Sequence, residues 1–159
     1  MRGQAGAPGA AIRAHEELFA YWASLRDGPK LPGRRAIGPE GMKRLLPTVS
    51  LIDVIDGDYR IRLAGTGLHT IYGREITGRR TAEIYAGGAA EYWRGELSRV
   101  VAQRRPAVGV HNLGWRGASH ISLVWLRLPL ASNGVDVDMI LGYDAVVGPH
   151  NAASGIRAA

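Results

Sequence analysis

The hydrophobic positions of the chain change their spacing several times. Near the start they repeat at i, i+3, i+4 and i+7, which predicts a helix over residues 12–27. The apolar face of that helix consists of Leu18, Tyr21, Trp22 and Leu25. A second stripe of this kind predicts a longer helix over residues 88–103, which ends before Pro106. Between the two, frequent glycines and prolines indicate short helical turns.

Five other segments have the composition of β-strands. Residues 49–55 and 59–65 are rich in Val and Ile, and they flank Asp56-Gly57, a dipeptide typical of hairpin turns. Three more strands are predicted over residues 107–115, 119–130 and 137–147. Strands and helices are grouped along the chain and do not alternate. This grouping predicts an α+β domain, a five-stranded antiparallel sheet with helices on one face and an extra N-terminal helix.

The second predicted strand has a clean alternation of apolar and charged positions. Tyr59, Ile61 and Leu63 should share one face, and Arg60 and Arg62 should share the other. The apolar set is the better core, so we expect both arginines on the outer face of the sheet.

The length of 159 residues is that of one domain. We expect residues 1–10 to be a disordered lead-in, residues 11–147 to form the domain and residues 148–159 to be a flexible tail. The absence of cysteine excludes disulfides, thiolate metal sites and thiol-linked flavin chemistry. Neither a membrane-spanning segment nor a secretory signal is present in the sequence, so we expect a cytoplasmic protein without a membrane partner.

The positive charge is spread along the chain. The net charge is +6, and 18 of the 20 basic residues are Arg, but no more than two of them are adjacent and the last third of the chain is neutral. Nucleic-acid binding is therefore an alternative that we do not favour, since it needs these pairs to cluster on one face with aromatic residues between them.

Histidines offer the few candidates for catalysis. His111 and His120 are placed to face each other across a hairpin, with Asp144 on a neighbouring strand. A His/Asp pair in a cavity would suit a small hydrolase or isomerase, and this stays open as an alternative. The sequence has no HExxH or GxSxG motif and no cluster of metal ligands, so we predict neither a catalytic residue nor a metal site.

Several short strings occur in the order seen in a known family. They are Leu31-Pro32-Gly33-Arg34, Leu45-Leu46-Pro47, Arg60-Ile61-Arg62-Leu63-Ala64-Gly65-Thr66, Gly73-Arg74-Glu75-Ile76-Thr77-Gly78, Leu128-Pro129-Leu130 and Ile140-Leu141-Gly142. Together with the order of elements, they resemble the PAS domain family, in particular a subgroup of bacterial single-domain PAS proteins. The resemblance implies a sensory or protein-interaction module and not an enzyme, which would signal through a separate partner.

The resemblance also implies a cavity between the sheet and the helices. We predict that its lining includes Ile61, Leu63, Tyr72, Trp93 and Trp125, and that it binds an unidentified small molecule, unless these residues simply pack together. Haem-binding relatives usually carry a histidine on the long helix, where this chain has none. His69 lies in an earlier helical segment, and we expect neither haem nor another cofactor.

The N-terminal helix has no place in the core of such a domain. We therefore predict that Leu18, Tyr21, Trp22 and Leu25 form the interface of a symmetric homodimer. The alternative is that this face packs on the sheet of its own chain.

Overall fold

The computed structural model describes residues 8–148, which form a five-stranded sheet with helices on both of its faces. The α-helices are α1 (Pro8–Ser24), α2 (Thr66–Tyr72), α3 (Thr81–Ile84) and α4 (Gly88–Gln103). The strands are β1 (Val49–Ile55), β2 (Asp58–Ala64), β3 (Ala107–Leu113), β4 (Ala118–Leu130) and β5 (Met139–Val147). Short 3₁₀ helices lie at Arg34–Ala36, Pro39–Thr48 and Gly114–Arg116. We call the second of these the 3₁₀ segment.

The sheet is antiparallel throughout, in the order β2-β1-β5-β4-β3. The hairpin between β1 and β2 turns at Asp56 and Gly57, whose φ angles of 50° and 78° are those of the tight turns that suit a two-residue hairpin. Pairing of β1 with β5 joins the two ends of the domain. The predicted α+β class and the five-stranded antiparallel sheet are confirmed.

Each face of the sheet is covered by different helices. On the inner face, Trp93 of α4 packs on Trp125 of β4, with ring centroids 5.1 Å apart. On the outer face, α1 lies along β4 and β5, where the Trp22 indole N–H donates to the Pro129 carbonyl at 2.9 Å. The His15 ring meets the Tyr143 ring edge-on at 5.7 Å. The sheet is thus the middle layer of three.

The face of α1 that was predicted to form a dimer interface is buried within its own chain. Leu18 and Trp22 are 0% and 1% exposed, and Tyr21 and Leu25 are half-buried against the same core. That assignment was wrong, because the outer face of the sheet provides the apolar surface that the helix needs. The homodimer itself stays a prediction.

The boundaries of α1 also differ from the prediction. Residues 8–10, expected in the lead-in, are helical, and the helix ends at Ser24 and not at residue 27. Residues 1–7 and 149–159, which hold the rest of the predicted lead-in and tail, lie outside the described residues.

A β-bulge in β2 changes the face on which Leu63 lies. Leu51 pairs with Leu63, whereas the next residue, Ile52, pairs with Ile61, so Arg62 is an extra residue in β2. Leu63 therefore turns to the outer face and is 53% exposed. Its prediction as an inner cavity residue was wrong, because alternation along one strand takes no account of a bulge in its pairing.

Candidate functional site

A buried ion pair lies at the centre of the inner face. The side chains of Arg127 of β4 and Asp144 of β5 are each 2% exposed, and Arg127 Nη1 lies 2.8 Å from Asp144 Oδ1. The guanidinium also donates to the Leu126 and Tyr143 carbonyls. Gly142 pairs with Arg127 across the two strands, and a Cβ there would lie 2.6 Å from Ser50 Oγ and 3.2 Å from Arg127 Nη1. The glycine therefore leaves room for the arginine side chain.

Two tyrosines extend this pair into a network of hydrogen bonds. The Tyr72 hydroxyl donates to Asp144 Oδ2 at 2.7 Å and lies 3.2 Å from the Tyr85 hydroxyl. Burial, and then the charge of Asp144, holds the pKa of Tyr72 well above its usual value. Burial alone would lower the pKa of Arg127, but the adjacent carboxylate reverses this and raises it. The four groups thus form an ionised pair with two neutral phenols.

Aromatic rings surround the guanidinium. Arg127 Cζ lies 4.8 Å from the centre of the Trp93 ring and 5.8 Å from that of Trp125, which are cation–π distances. The Trp125 indole donates to the Tyr92 hydroxyl at 3.1 Å. The indole N–H of Trp93 is buried and makes no hydrogen bond within the described part of the chain, and the same is true of Arg127 Nε.

The space that these side chains enclose is small. Its volume is about 20 Å³, enough for one water molecule and too small for a flavin or a haem. The side chains that line it are Ser50, Ile52, Tyr59, Ile61, Tyr72, Ile76, Thr81, Ile84, Tyr85, Trp93, Leu97, Arg127 and Asp144. We call it the inner space. Most of its lining is apolar, and the polar groups of Arg127, Asp144 and Tyr72 lie together on one side.

A depression on the surface lies directly outside the inner space. Its volume is about 300 Å³, and it shares Tyr72, Ile84 and Tyr85 with the lining of the inner space. Arg74 and Arg116 stand at its edge. The two tyrosines therefore separate the inner space from solvent.

Most of the residues predicted for a cavity do lie here. Ile61, Tyr72 and Trp93 line the inner space, and Trp125 lies beside it on the same face. The prediction missed Arg127, although a charge within the otherwise apolar run of β4 is itself a signal, since a buried charge needs a partner. Tyr85 had no such signal, because its inward direction depends on the turn after α3.

The histidines do not form the arrangement proposed for catalysis. His111 and Asp144 both point to the inner face, but the carboxylate binds Arg127 and Tyr72, whereas the His111 ring stacks on Tyr92 at 4.1 Å. Burial lowers the pKa of His111. His69 is exposed on α2, outside the inner space. Within residues 8–148, no three His, Asp or Glu side chains are placed to hold a metal ion.

Arg60 and Arg62 lie on the outer face, as predicted. Arg62 Nε donates to both carboxylate oxygens of Asp53, at 3.0 and 3.1 Å, and Arg60 Nη2 lies 3.6 Å from the same carboxylate. Neither arginine reaches the inner space.

Comparison with known proteins identifies the domain. The family model described as "PAS domain" matches residues 11–144. The chain belongs to the PAS domain family. PAS domains are generally sensory modules without enzymatic activity, which often bind ligands and mediate interactions between proteins. No curated protein matches the chain in sequence.

Solved structures of PAS domains share the fold at low sequence identity. The PAS domain of Bordetella pertussis BvgS is 14% identical with a TM-score of 0.53, and the match covers 89% of this chain and 93% of that one. A PAS domain from Colwellia psychrerythraea is also 14% identical with a TM-score of 0.54, over 69% and 96% of the two chains. A light-oxygen-voltage domain studied with a flavin analogue is 19% identical with a TM-score of 0.52, over 74% and 90%. None of the helices in residues 8–148 has the length and apolar character needed to cross a membrane.

Proposed function

We propose that this PAS domain is a sensory and protein-interaction module that binds a small molecule at the inner space and signals through a separate partner. The observation that carries this proposal is a pair of buried donors, Arg127 Nε and Trp93 Nε1, which meet no acceptor among residues 8–148 and belong to side chains lining one space. Buried donors without partners cost free energy, and a ligand that accepts from them recovers it.

The presence of the ion pair supports a binding role over a structural one. A buried ion pair is rarely more stable than apolar side chains of similar volume, because both charges lose their hydration. Strongly perturbed ionisable groups concentrate at functional sites. The free-energy cost of burying Arg127 and Asp144 is therefore better explained by a role in ligand binding than by a contribution to stability.

The charges of the inner space also select the class of ligand. Asp144 already neutralises Arg127, so a second anion would add an uncompensated charge to an apolar chamber. A small neutral molecule that carries a carbonyl group fits better, with its oxygen accepting from the guanidinium and the indole. Such a molecule is larger than the one water that the inner space of about 20 Å³ can hold. Its binding therefore requires the inner space to widen and Tyr72 and Tyr85 to move apart, since they separate it from the surface depression.

The test uses the indole N–H signals of Trp residues in ¹⁵N-labelled protein. Titration with N-methylacetamide, 2-pyrrolidone or cyclohexanone should shift the Trp93 signal in a saturable way. The Trp22 indole, which already donates to Pro129, serves as the internal control and should not move. The substitution Trp93→Phe keeps an aromatic ring and removes the donor. Followed through the neighbouring Trp125 indole signal, its binding should be weaker by about threefold to tenfold, the value of one hydrogen bond.

Three results would refute this function. One is that no probe shifts the Trp93 signal. Another is that Trp22 and Trp93 shift together, which would indicate non-specific binding. The third is tighter binding of acetate than of the neutral probes, which would contradict the argument from charge.

A further inference from the structure

The outer face of the sheet carries a groove that α1 leaves uncovered. It runs between the 3₁₀ segment and the β1–β2 hairpin, and its volume is about 580 Å³. Its apolar floor includes Ile37, Met42, Leu46, Leu51 and Leu63. We call it the outer groove. It opens to solvent along the surface and is separate from the inner space.

The outer groove owes its apolar floor to the bulge in β2. In a strand without a bulge, Leu63 would point to the inner face together with Ile61, two residues before it. With the bulge, Leu63 stands beside Leu51 on the outer face and is 53% exposed. An exposed leucine next to further apolar side chains is typical of an interaction surface.

The edge of the outer groove is positively charged. Arg34 and Lys43 belong to the lining, which lies within residues 8–148 and contains no acidic and no aromatic side chain. Next to Leu63, Arg60 and Arg62 share the single carboxylate of Asp53, which leaves a net positive charge. An apolar floor between cationic edges is complementary to an apolar stripe flanked by carboxylates.

We infer that the outer groove binds an acidic amphipathic helix of another protein. Helices dock into grooves through apolar side chains spaced i, i+3, i+4 and i+7, and glutamates beside that stripe would face Arg34 and Lys43. The identification of this helix as part of the signalling partner rests on the proposed function. The binding surface itself does not.

Two other occupants fit the groove less well. A second copy of this chain would bring its own net charge of +6 towards the cationic edges. A single-stranded nucleic acid would need aromatic side chains on which its bases stack, and the lining has none.

The position of the outer groove relates it to the inner space. Alternate residues of β1 line the two sites, because Ser50 and Ile52 face the inner space whereas Val49 and Leu51 face the groove. Ile61 and Leu63 divide in the same way on β2. One layer of backbone therefore separates the two sites, and a displacement of β1 by an inner ligand would reach a helix bound outside.

The experiment measures the fluorescence anisotropy of labelled helical peptides added to the whole chain. One peptide of about 18 residues places leucines at i, i+3, i+4 and i+7, glutamates directly beside them and alanines at the other positions, because an alanine-rich peptide of this length can form a helix in water. A second has the same leucines and lysines in place of the glutamates. The acidic peptide should bind saturably and more weakly as salt increases, and the basic peptide should not bind.

Variants locate the peptide. Leu63→Glu should weaken binding by about tenfold or more, as expected for a central apolar contact, and Lys43→Glu should weaken it less. Val135→Glu, at a similarly exposed valine outside the lining of the groove, is the matched control and should bind like the wild type. The titrations contain no carbonyl probe, so that a failure of the inner ligand site leaves the peptide result unaffected and the two proposals can fail separately.

Several outcomes would overturn the inference. These are no saturable binding of the acidic peptide, equal loss in Leu63→Glu and Val135→Glu, or equal binding of both peptides. Tighter binding of single-stranded DNA than of the acidic peptide, or displacement of the peptide by a second copy of the chain, would assign the groove to another occupant.

Discussion

The side chains of Arg127 and Asp144 are each 2% exposed. Bulk water therefore cannot solvate either charge, and each depends on the other for compensation. If one of them is removed, the survivor stays in an apolar chamber without compensation, and neutralising or hydrating it requires the core to open. Tyr72 does not relieve this, since its hydroxyl donates to Asp144 and is itself buried. The pair therefore makes the stability of the domain sensitive to conservative changes at two positions.

We expect Asp144→Asn to lower the free energy of unfolding by about 3–5 kcal/mol, the usual cost of breaking a buried ion pair. Urea denaturation measures this. The double variant Arg127→Met, Asp144→Leu removes both charges and should be more stable than Asp144→Asn, because no unpaired charge remains.

The control for this prediction is an ion pair that reaches solvent, because its arginine side chain is 57% exposed. Glu96 and Arg99 pair on the surface of α4, and Glu96→Gln should cost only about 0.2–0.5 kcal/mol. A cost for Asp144→Asn as small as that of Glu96→Gln would contradict the burial of the pair.

At the scale of elements, α1 behaves as part of the core. Trp22 is 1% exposed and donates to Pro129, whereas Phe19, one turn away on the same helix, is 45% exposed. We expect Trp22→Ala to destabilise the chain by about 3–5 kcal/mol, and Phe19→Ala to cost about 0.5 kcal/mol or less. Urea denaturation compares the two variants.

A different result would show that α1 packs on a second copy of the chain. If Trp22→Ala kept its unfolding midpoint while its mass in solution fell from that of a dimer to that of a monomer, α1 would pack on a second copy and not on its own sheet.

The types of the elements could be predicted because their patterns are local. The helix over residues 88–103 and the strand over residues 49–55 have the predicted bounds, since periodicity and turn residues depend on near neighbours in the chain. The face of the sheet on which Leu63 lies and the surface against which α1 packs could not be predicted. The first depends on the register between β1 and β2, and the second on which surface the rest of the fold leaves apolar.

The same limit applies to the candidate site. Ile61, Tyr72 and Trp93 were found from the resemblance and from apolar patterning, but the pairing of Arg127 with Asp144 depends on the register of β4 with β5. The sequence placed Asp144 beside His111 instead, because it shows which strands carry ionisable groups and not which of them meet.

For the molecule as a whole, each face of the sheet has one partly buried histidine in its contact with the helices. His15 of α1 lies against Tyr143 on the outer side, and His111 of β3 lies against Tyr92 on the inner side. Burial lowers the pKa of both below 6.5; for His15 a backbone hydrogen bond to Val124 and the charge of Asp144 partly oppose this. Both layers therefore pack against a neutral imidazole.

This arrangement predicts how stability depends on pH. Because the pKa of each histidine is lower in the folded chain, the unfolded chain binds more protons as the pH falls through 6.5, and stability must decrease. Urea midpoints should fall between about pH 7.5 and about pH 5. Asp58 and Glu75 do not interfere, since their pKa values are lowered from 3.8 and 4.5 and their contribution is lost only at lower pH. The double variant His15→Gln, His111→Gln should flatten this pH profile, whereas His120→Gln, at an exposed site, should leave it unchanged. A wild-type midpoint that stays constant or rises on acidification would contradict the prediction. It would show that both imidazoles are hydrated and that the helices do not exclude water from the two faces of the sheet.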